Sequence, residues 1–341
     1  PAGAGGMGLV YRAERADGAF EMPVALKLIR RLDPALVRQL EIERRLLARL
    51  DHPNVARLID GGVTDEGWAW LAMEWIDGAD LDDWVGTRPG IVERLKTFSE
   101  LADAVAQAHR RRIVHGDIKP ANVRVASDGR ARLLDFGVAR LLGDDAEDGL
   151  AALTPAFAAP EQKRGEPVTP QADVFALGAL LYWMLTRRTL AEDDGAVRLE
   201  RLRAVHPRGR ELAALVATAT ADDPDDRYDG VNGLLRDLEA FRTFRPLSAM
   251  PPNRRYVMAR FLQRNRAGIT LAGLCLLLMV AGVAGIAWQG RIAIEQRDRA
   301  EVEAATAERV TDFLVDLFEQ ADPERARGRE LTARELVALG T

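Results

Sequence analysis

The sequence predicts an α+β protein of more than one unit, strand-rich at its start, helical after that, and ending in a membrane-spanning helix with a helical tail. Three observations predict it. Short apolar runs of strand character, punctuated by turn residues, fill residues 9–73. From Ile91 onward apolar residues recur at helical spacing instead. Residues 267–288 then run for 22 positions without a charge. A length of 341 residues exceeds what one small core needs. The formal charge of −5 and pI near 5.6 give no global reason to expect nucleic acid binding. The single cysteine, Cys275, excludes an internal disulfide.

The chain opens on Gly3-Ala4-Gly5-Gly6-Met7-Gly8-Leu9-Val10, a Gly-x-Gly-x-x-Gly-x-Val loop. Glycines there let backbone amides close over phosphates where a Cβ would intrude. A dinucleotide loop shares the pattern but opens a helix. Here Leu9 to Ala13 reads as a strand, Asp17-Gly18 as a turn, and Val24 to Ile29 as a second strand carrying Lys27. A helix follows from Pro34, with Leu36, Leu40, Leu47 and Leu50 on one face and Glu43 among them, while Glu41 lies off that stripe. A carboxylate on a core-facing stripe needs a partner, and Lys27 is the obvious one. Val55 to Ile59 and Trp68 to Met73 read as strands around a turn at Asp60-Gly61-Gly62.

Leu95, Phe98, Leu101, Ala102, Val105 and Ala108 make Ile91 to about Arg111 an amphipathic helix. It leads into His115-Gly116-Asp117-Ile118-Lys119-Pro120-Ala121-Asn122, followed by short apolar runs and Asp135-Phe136-Gly137. An acid, an ammonium, an amide and a second acid suit a nucleoside triphosphate and its metal held against a hydroxyl. Lysine is rare in this chain: only Lys27, Lys96, Lys119 and Lys163 stand among 47 basic residues. Lysine at two candidate phosphate positions against that bias favours function over chance, since its compact charge differs from the planar fork of arginine. His115 reads as a structural histidine.

On these residues the chain resembles the bacterial transmembrane serine/threonine protein kinases of Hanks type. The resemblance covers roughly residues 1–245 and implies a bilobal protein kinase fold, with a small β-rich N-lobe (1–77, its first strand missing) and a large helical C-lobe (78–245). It implies ATP and Mg²⁺ as cofactors and the Ser/Thr hydroxyls of proteins as substrates. By it, Asp117 is the catalytic base, Lys119 faces the γ-phosphate, and Asn122 and Asp135 hold Mg²⁺. Lys27 binds phosphate beside Glu43, and Gly3, Gly5, Gly6, Gly8 and Val10 cover the nucleotide. Ala25 packs near the adenine, Met73 is the gatekeeper, and backbone groups of Glu74 to Ile76 hold the adenine. Gly137 completes the Asp-Phe-Gly motif, and Thr154 and Glu161 belong to the activation segment ending in Ala159-Pro160-Glu161. Asp173 braces the catalytic loop, and Arg227 pairs with Glu161.

Gly116 departs from the family, which usually has arginine there. His-Gly-Asp is closer to small-molecule phosphotransferases of the aminoglycoside and choline type, a rival reading opposed by Lys119 and by the peptide-docking motif at Ala159-Pro160-Glu161. A nucleotide-binding pseudokinase receptor is a second rival, opposed by the filled catalytic positions. Residues 138–153 contain no Ser, Thr or Tyr and carry Asp144, Asp145, Glu147 and Asp148. Phosphorylation of such a loop works by pairing new charge with arginine. Both halves of that latch are missing, so activity is expected not to depend on it.

Asp173 precedes an apolar run, Val174 to Leu185, too short to cross a bilayer and so expected as a buried central helix. The lobe is expected to end near Phe244. Seven arginines and no acid lie between Arg242 and Arg266, and prolines at 246, 251 and 252 make residues 246–266 a basic juxtamembrane linker. The uncharged residues 267–288 span about 33 Å as a helix, enough for a bilayer core of ~30 Å. The arginine flank puts the kinase side in the cytoplasm of a single-pass protein of the inner membrane and residues 289–341 outside. Ala281 and Gly285 permit close helix packing and hence a homodimer. In the tail Val310, Phe313, Leu314 and Leu317 form a stripe, and Thr332 to Glu335 reads as a capping box. That tail resembles the start of the helical repeats on some bacterial membrane kinases. A chain that starts at Pro1, almost inside the glycine loop, and ends at Thr341 reads as a piece of a longer protein.

Overall fold

The computed structural model describes residues 3–5, 8–14, 22–31, 44, 50–136 and 155–320. Five antiparallel strands form the first layer in the order β1-β2-β3-β5-β4. They are β1 (Gly3–Gly5), β2 (Gly8–Ala13), β3 (Val24–Arg31), β4 (Leu58–Val63) and β5 (Trp68–Glu74). β3 lies between β2 and β5, with Lys27 opposite Val10 on one side and Leu71 on the other. Ala25, two residues earlier, faces Arg12 and Met73 in the same way. Alternation along a strand therefore puts Val10, Ala25, Lys27, Leu71 and Met73 on one face of the sheet.

One strand differs from expectation. Asp60-Gly61-Gly62, read as a turn, lies inside β4, and the turn falls at Thr64 to Gly67 instead. A Cβ on Gly61 would come within 2.8 Å of Leu71, and one on Gly62 within 3.1 Å of the Trp70 indole. The glycines are there for close approach within a strand, not for a reversal. Val55, expected to begin that strand, instead bridges to Leu133, and Leu133 exchanges backbone hydrogen bonds with Asn54 and Ala56 (2.8 and 2.9 Å). That exchange fastens the first layer to the second sheet.

The second sheet is small: β6 (Gly78–Asp80), β7 (Val123–Ala126) and β8 (Ala131–Leu133). Around it pack α1 (Leu81–Gly86), α2 (Ile91–Arg110), α3 (Pro160–Lys163), α4 (Pro170–Thr186), α5 (Gly195–Val205), α6 (Gly209–Ala219) and α7 (Val231–Arg242). The six apolar residues that predicted α2 are all buried. α4 is the expected central helix, buried on every side from Ala172 to Leu185.

Residues 254–264, expected within a linker, form helix α8 and pack back on this unit. Arg260 reaches the buried Glu211 of α6 at 3.1 Å, and the Leu247 N–H donates to the Tyr256 hydroxyl at 3.2 Å. A buried carboxylate needs compensating charge, and Arg208 and Arg260 both supply it to Glu211. In the second unit, residues 265–341, the described residues form one helix, α9 (Arg266–Gln320), containing the one segment among the described residues long and apolar enough to cross a membrane. Of the helix expected from Pro34, Arg44 is described in helical conformation, and Leu50 is buried but lies outside any helix. Gly6, Glu43, residues 137–154 with Gly137 and Thr154, and the capping box at Thr332 lie outside the described residues.

Candidate active site

Asp117 sits on a loop gripped from beneath by Asp173, which is fully buried in the first turn of α4. The Asp173 carboxylate accepts the backbone N–H of His115 at Oδ2 and of Gly116 at Oδ1, both at 2.8 Å. His109, in the last turn of α2, adds its Nε2 at 2.7 Å from Asp173 Oδ2. Gly116 has φ +78°, a left-handed conformation that a side chain would strain.

His115 is 1 % exposed and ties this loop to the next motif. Asp117 N–H donates to its Nδ1 (3.2 Å), so Nε2 carries the proton, which it gives to the Leu134 carbonyl at 2.9 Å. The Phe136 ring lies against the imidazole with centroids 4.6 Å apart. Both ring nitrogens are engaged within the protein.

Above the loop, Lys119 Nζ lies 2.8 Å from Asp117 Oδ2. Asn122 closes a single 3-10 turn begun by Pro120, and its Nδ2 donates to the Asp117 carbonyl (2.7 Å) and to Asp117 Oδ2 (3.0 Å). With its nitrogen so committed, the Asn122 side chain has its Oδ1 to offer a ligand. Lys27, 4 % exposed, donates to Asp135 Oδ2 at 2.7 Å. The partner expected for Lys27 was Glu43, which is outside the described residues. Asp135 has φ +58°, and its Oδ1 is buried with no hydrogen-bond partner among the described residues. A left-handed non-glycine residue costs about 1–3 kcal/mol and persists where its surroundings over-determine it.

That orphaned oxygen tests the fit of a metal. A buried carboxylate oxygen without a partner is costly unless a cation or donor completes it. Asp135 Oδ1 and Asn122 Oδ1 are hard oxygen donors of the kind a small divalent cation takes. Among the described residues no cluster of three His, Cys, Asp or Glu could hold a metal by itself. A site with two protein oxygens fits a cation that draws its other ligands from phosphates and water.

The remaining residues frame this centre. Gly3, Gly5 and Gly8 lie in the β1–β2 hairpin, where Gly5 pairs with Gly8 next to β3. Met73 and Asp135 line a small cavity of ≈ 20 Å³ with Leu50, Val55, Leu71 and Phe136. The Glu74 N–H is bound by the Arg57 carbonyl at 2.8 Å, and Ile76 is buried. The Arg12 guanidinium lies 5.6 Å from the Trp75 ring.

Glu161 and Arg227 meet in a buried two-pronged pair, with N–O distances of 2.7 and 2.8 Å. Burial pushes the Glu161 carboxyl up, but hydrogen bonds from Arg227 and the backbone, with the charges of Arg227 and Arg164, leave it below its ordinary value. Arg227 also binds the carbonyls of Gln171, Ala221 and Asp222.

Two polar residues were not read from the sequence: His109, and Gln162. Gln162 accepts the Ala159 N–H at 3.0 Å and donates to the Gly116 carbonyl at 2.8 Å, linking the Ala-Pro-Glu segment to the Asp117 loop. Its one legible signal was a Gln three residues into a short helix, where it can cap the start.

Residues 2–236 match the family described as protein kinase domain. The serine/threonine-protein kinase Pkn1 of Myxococcus xanthus is 34% identical over 249 residues, 67% of this chain and 36% of that protein. PrkC of Bacillus subtilis is 30% identical over 254 residues, 70% of this chain and 39% of its own. PknB of Mycolicibacterium smegmatis is 33% identical over 258 residues, 69% and 41% respectively. The chain thus spans between 36% and 41% of the length of these curated relatives. The crystal structure of the Mycobacterium tuberculosis PknI kinase domain is similar, with a TM-score of 0.56 at 27% identity over 70% of this chain and 92% of that one.

Proposed function

The chain belongs to the protein kinase family and has its bilobal fold, and from that premise we propose that it transfers the γ-phosphoryl of Mg-ATP to Ser or Thr hydroxyls of proteins. The observation that carries this reading is Asp117 Oδ2 held within 3.0 Å by both Lys119 and Asn122, together with an Asp135 whose Oδ1 is buried without a partner among the described residues. Bound Mg-ATP supplies the transferable phosphoryl and a cation that neutralises its charge. Asp117 orients the incoming hydroxyl and takes up its proton, while Lys119 offsets charge on the γ-phosphoryl. Asn122 and Asp135 would hold the metal, and Lys27, which here binds Asp135, would meet the other phosphates with Glu43 as its second partner. The Gly3–Val10 hairpin covers the nucleotide. Ala25, Met73 and backbone groups of Glu74 to Ile76 receive the adenine, and Thr154 and Gly137 complete the activation segment.

The domain arrangement belongs to the same proposal: a kinase domain over residues 1–245, a basic juxtamembrane stretch to 266, a membrane span over 267–288, and a tail from 289. The kinase lies on the cytoplasmic side of a bacterial inner membrane and the tail outside, because the arginine flank precedes the span. The Ala281–Gly285 face suits a homodimer. One assay tests the chemistry: label transfer from γ-labelled ATP to the protein itself and to a basic protein, wild type beside Asp117→Asn. Wild type should label both; equal labelling by the two forms would refute Asp117 as the base.

A further inference from the structure

Helix α8 has two faces, and Tyr256 and Arg260 fasten one of them to the protein. At about 100° per residue, Tyr256, Ala259, Arg260 and Gln263 share one side. Tyr256 and Arg260 are the residues that bind Leu247 and Glu211, and burial raises the Tyr256 phenol above its ordinary pKa. Val257, Met258, Phe261 and Leu262 fall on the opposite side, where they are 47%, 57%, 48% and 46% exposed. Arg254, Arg255 and Arg264 on this helix, with Arg266 just after it, are exposed as well. No acidic residue occurs between Glu239 and Glu295.

An exposed apolar stripe edged only by arginines suits one kind of surface. A protein partner could supply acids or apolar contacts singly; a bilayer of anionic lipid supplies both at once, acyl chains for the stripe and phosphates for the guanidinium groups. The sequence brings that surface near, since the uncharged run starts at Ala267. We propose that α8 is an interfacial helix that lies in the anionic headgroup layer by its Val257–Met258–Phe261–Leu262 face while Tyr256 and Arg260 hold its other face to the C-lobe, so that the kinase lobe is held against the membrane surface instead of swinging on a linker. This rests on the membrane span proposed above. Each exposed arginine near such a surface strengthens the association by roughly fivefold.

The only native cysteine makes the test direct. The full chain is reconstituted in vesicles of phosphatidylcholine, with or without phosphatidylglycerol, whose acyl chains are brominated. An environment-sensitive fluorophore is attached at native Cys275, or, in a Cys275→Ser background, at Met258→Cys or Ala259→Cys. The expected result is quenching at Cys275 in both lipids, quenching at position 258 mainly with phosphatidylglycerol, and none at position 259. Arg254→Gln with Arg255→Gln should shift the position-258 signal back towards water. If Cys275 is quenched and position 258 is not, the span holds and the interfacial helix is refuted. Equal quenching at 258 and 259 overturns the docking to the lobe. A blue-shifted but unquenched label at 258 means a protein occupant such as a second copy and overturns the lipid assignment. An unquenched Cys275 overturns the span itself, and the inference with it.

Discussion

Asp117 and Asp135 share one centre in the function proposed above, yet the protein treats them oppositely. Asp117 has its Oδ2 engaged by Lys119 and Asn122, and its backbone is held through His115 and Asp173. Asp135 has one oxygen on Lys27, the other buried without a partner among the described residues, and a left-handed backbone. The first acid is preorganised by the chain alone; the second, on the function proposed above, would be completed by a bound cation. Preorganised groups lose little on reaction, whereas a group completed by a ligand makes the site depend on what binds there.

The sharpest way to break this contrast is to neutralise each acid in turn. Asp117→Asn should lower phosphoryl transfer by about 10²–10⁴-fold, the range for removing a general base, with the metal concentration for half-maximal activity unchanged. Asp135→Asn should raise that metal concentration and diminish the rise in melting temperature on adding Mg-ATP. Similar metal titrations for both variants would erase the distinction between the two carboxylates.

Next in size is the frame beneath them. Glu161→Gln leaves Arg227 buried beside a neutral partner, and breaking such a pair costs about 3–5 kcal/mol in urea unfolding. The folded Glu161 carboxyl titrates below its ordinary 4.5. Its stabilisation is therefore present in full above that value and is lost as pH falls through the lower folded one. Wild type should lose more stability than Glu161→Gln across that acid window.

Gln162→Ala removes the tie between the Ala-Pro-Glu segment and Gly116. One buried and one part-buried backbone group lose their partners, so kcat should fall about tenfold while the KM for ATP holds, because Lys27 and the glycine hairpin are untouched. A change confined to melting temperature would make Gln162 merely structural. The smallest expected effect is none at all. Phosphatase treatment of autophosphorylated protein should leave activity unchanged, since residues 138–153 contain no Ser, Thr or Tyr; a collapse would point to Thr154 or refute a loop that needs no phosphate.

Legibility differed by type of signal. The α2 stripe from Leu95 to Ala108 and the apolar run of α4 were plain because burial leaves a periodic trace. Asp117, Lys119, Asn122, Asp135, Glu161 and Arg227 were plain because their order matches a family pattern. Gly61 and Gly62 misled, since a glycine spared for an overlying Trp70 looks like one spared for a turn. His109 and Gln162 left almost no trace: each acts on a group 64 or 46 residues away, across elements whose packing no local window contains. Helix α8 was hidden among arginines and prolines that read as a linker, because its partner Glu211 lies on α6.

By itself, then, the sequence determined the chemistry on offer and the order of the elements, since composition and periodicity are local properties. Only the tertiary structure decided the partners. It put Lys27 on Asp135 and Gly116 in a left-handed turn held by Asp173 and Gln162, and it left Asp135 Oδ1 buried without a described partner. Pairing of buried polar groups depends on which distant elements meet in the core, and that meeting is a property of the packed chain.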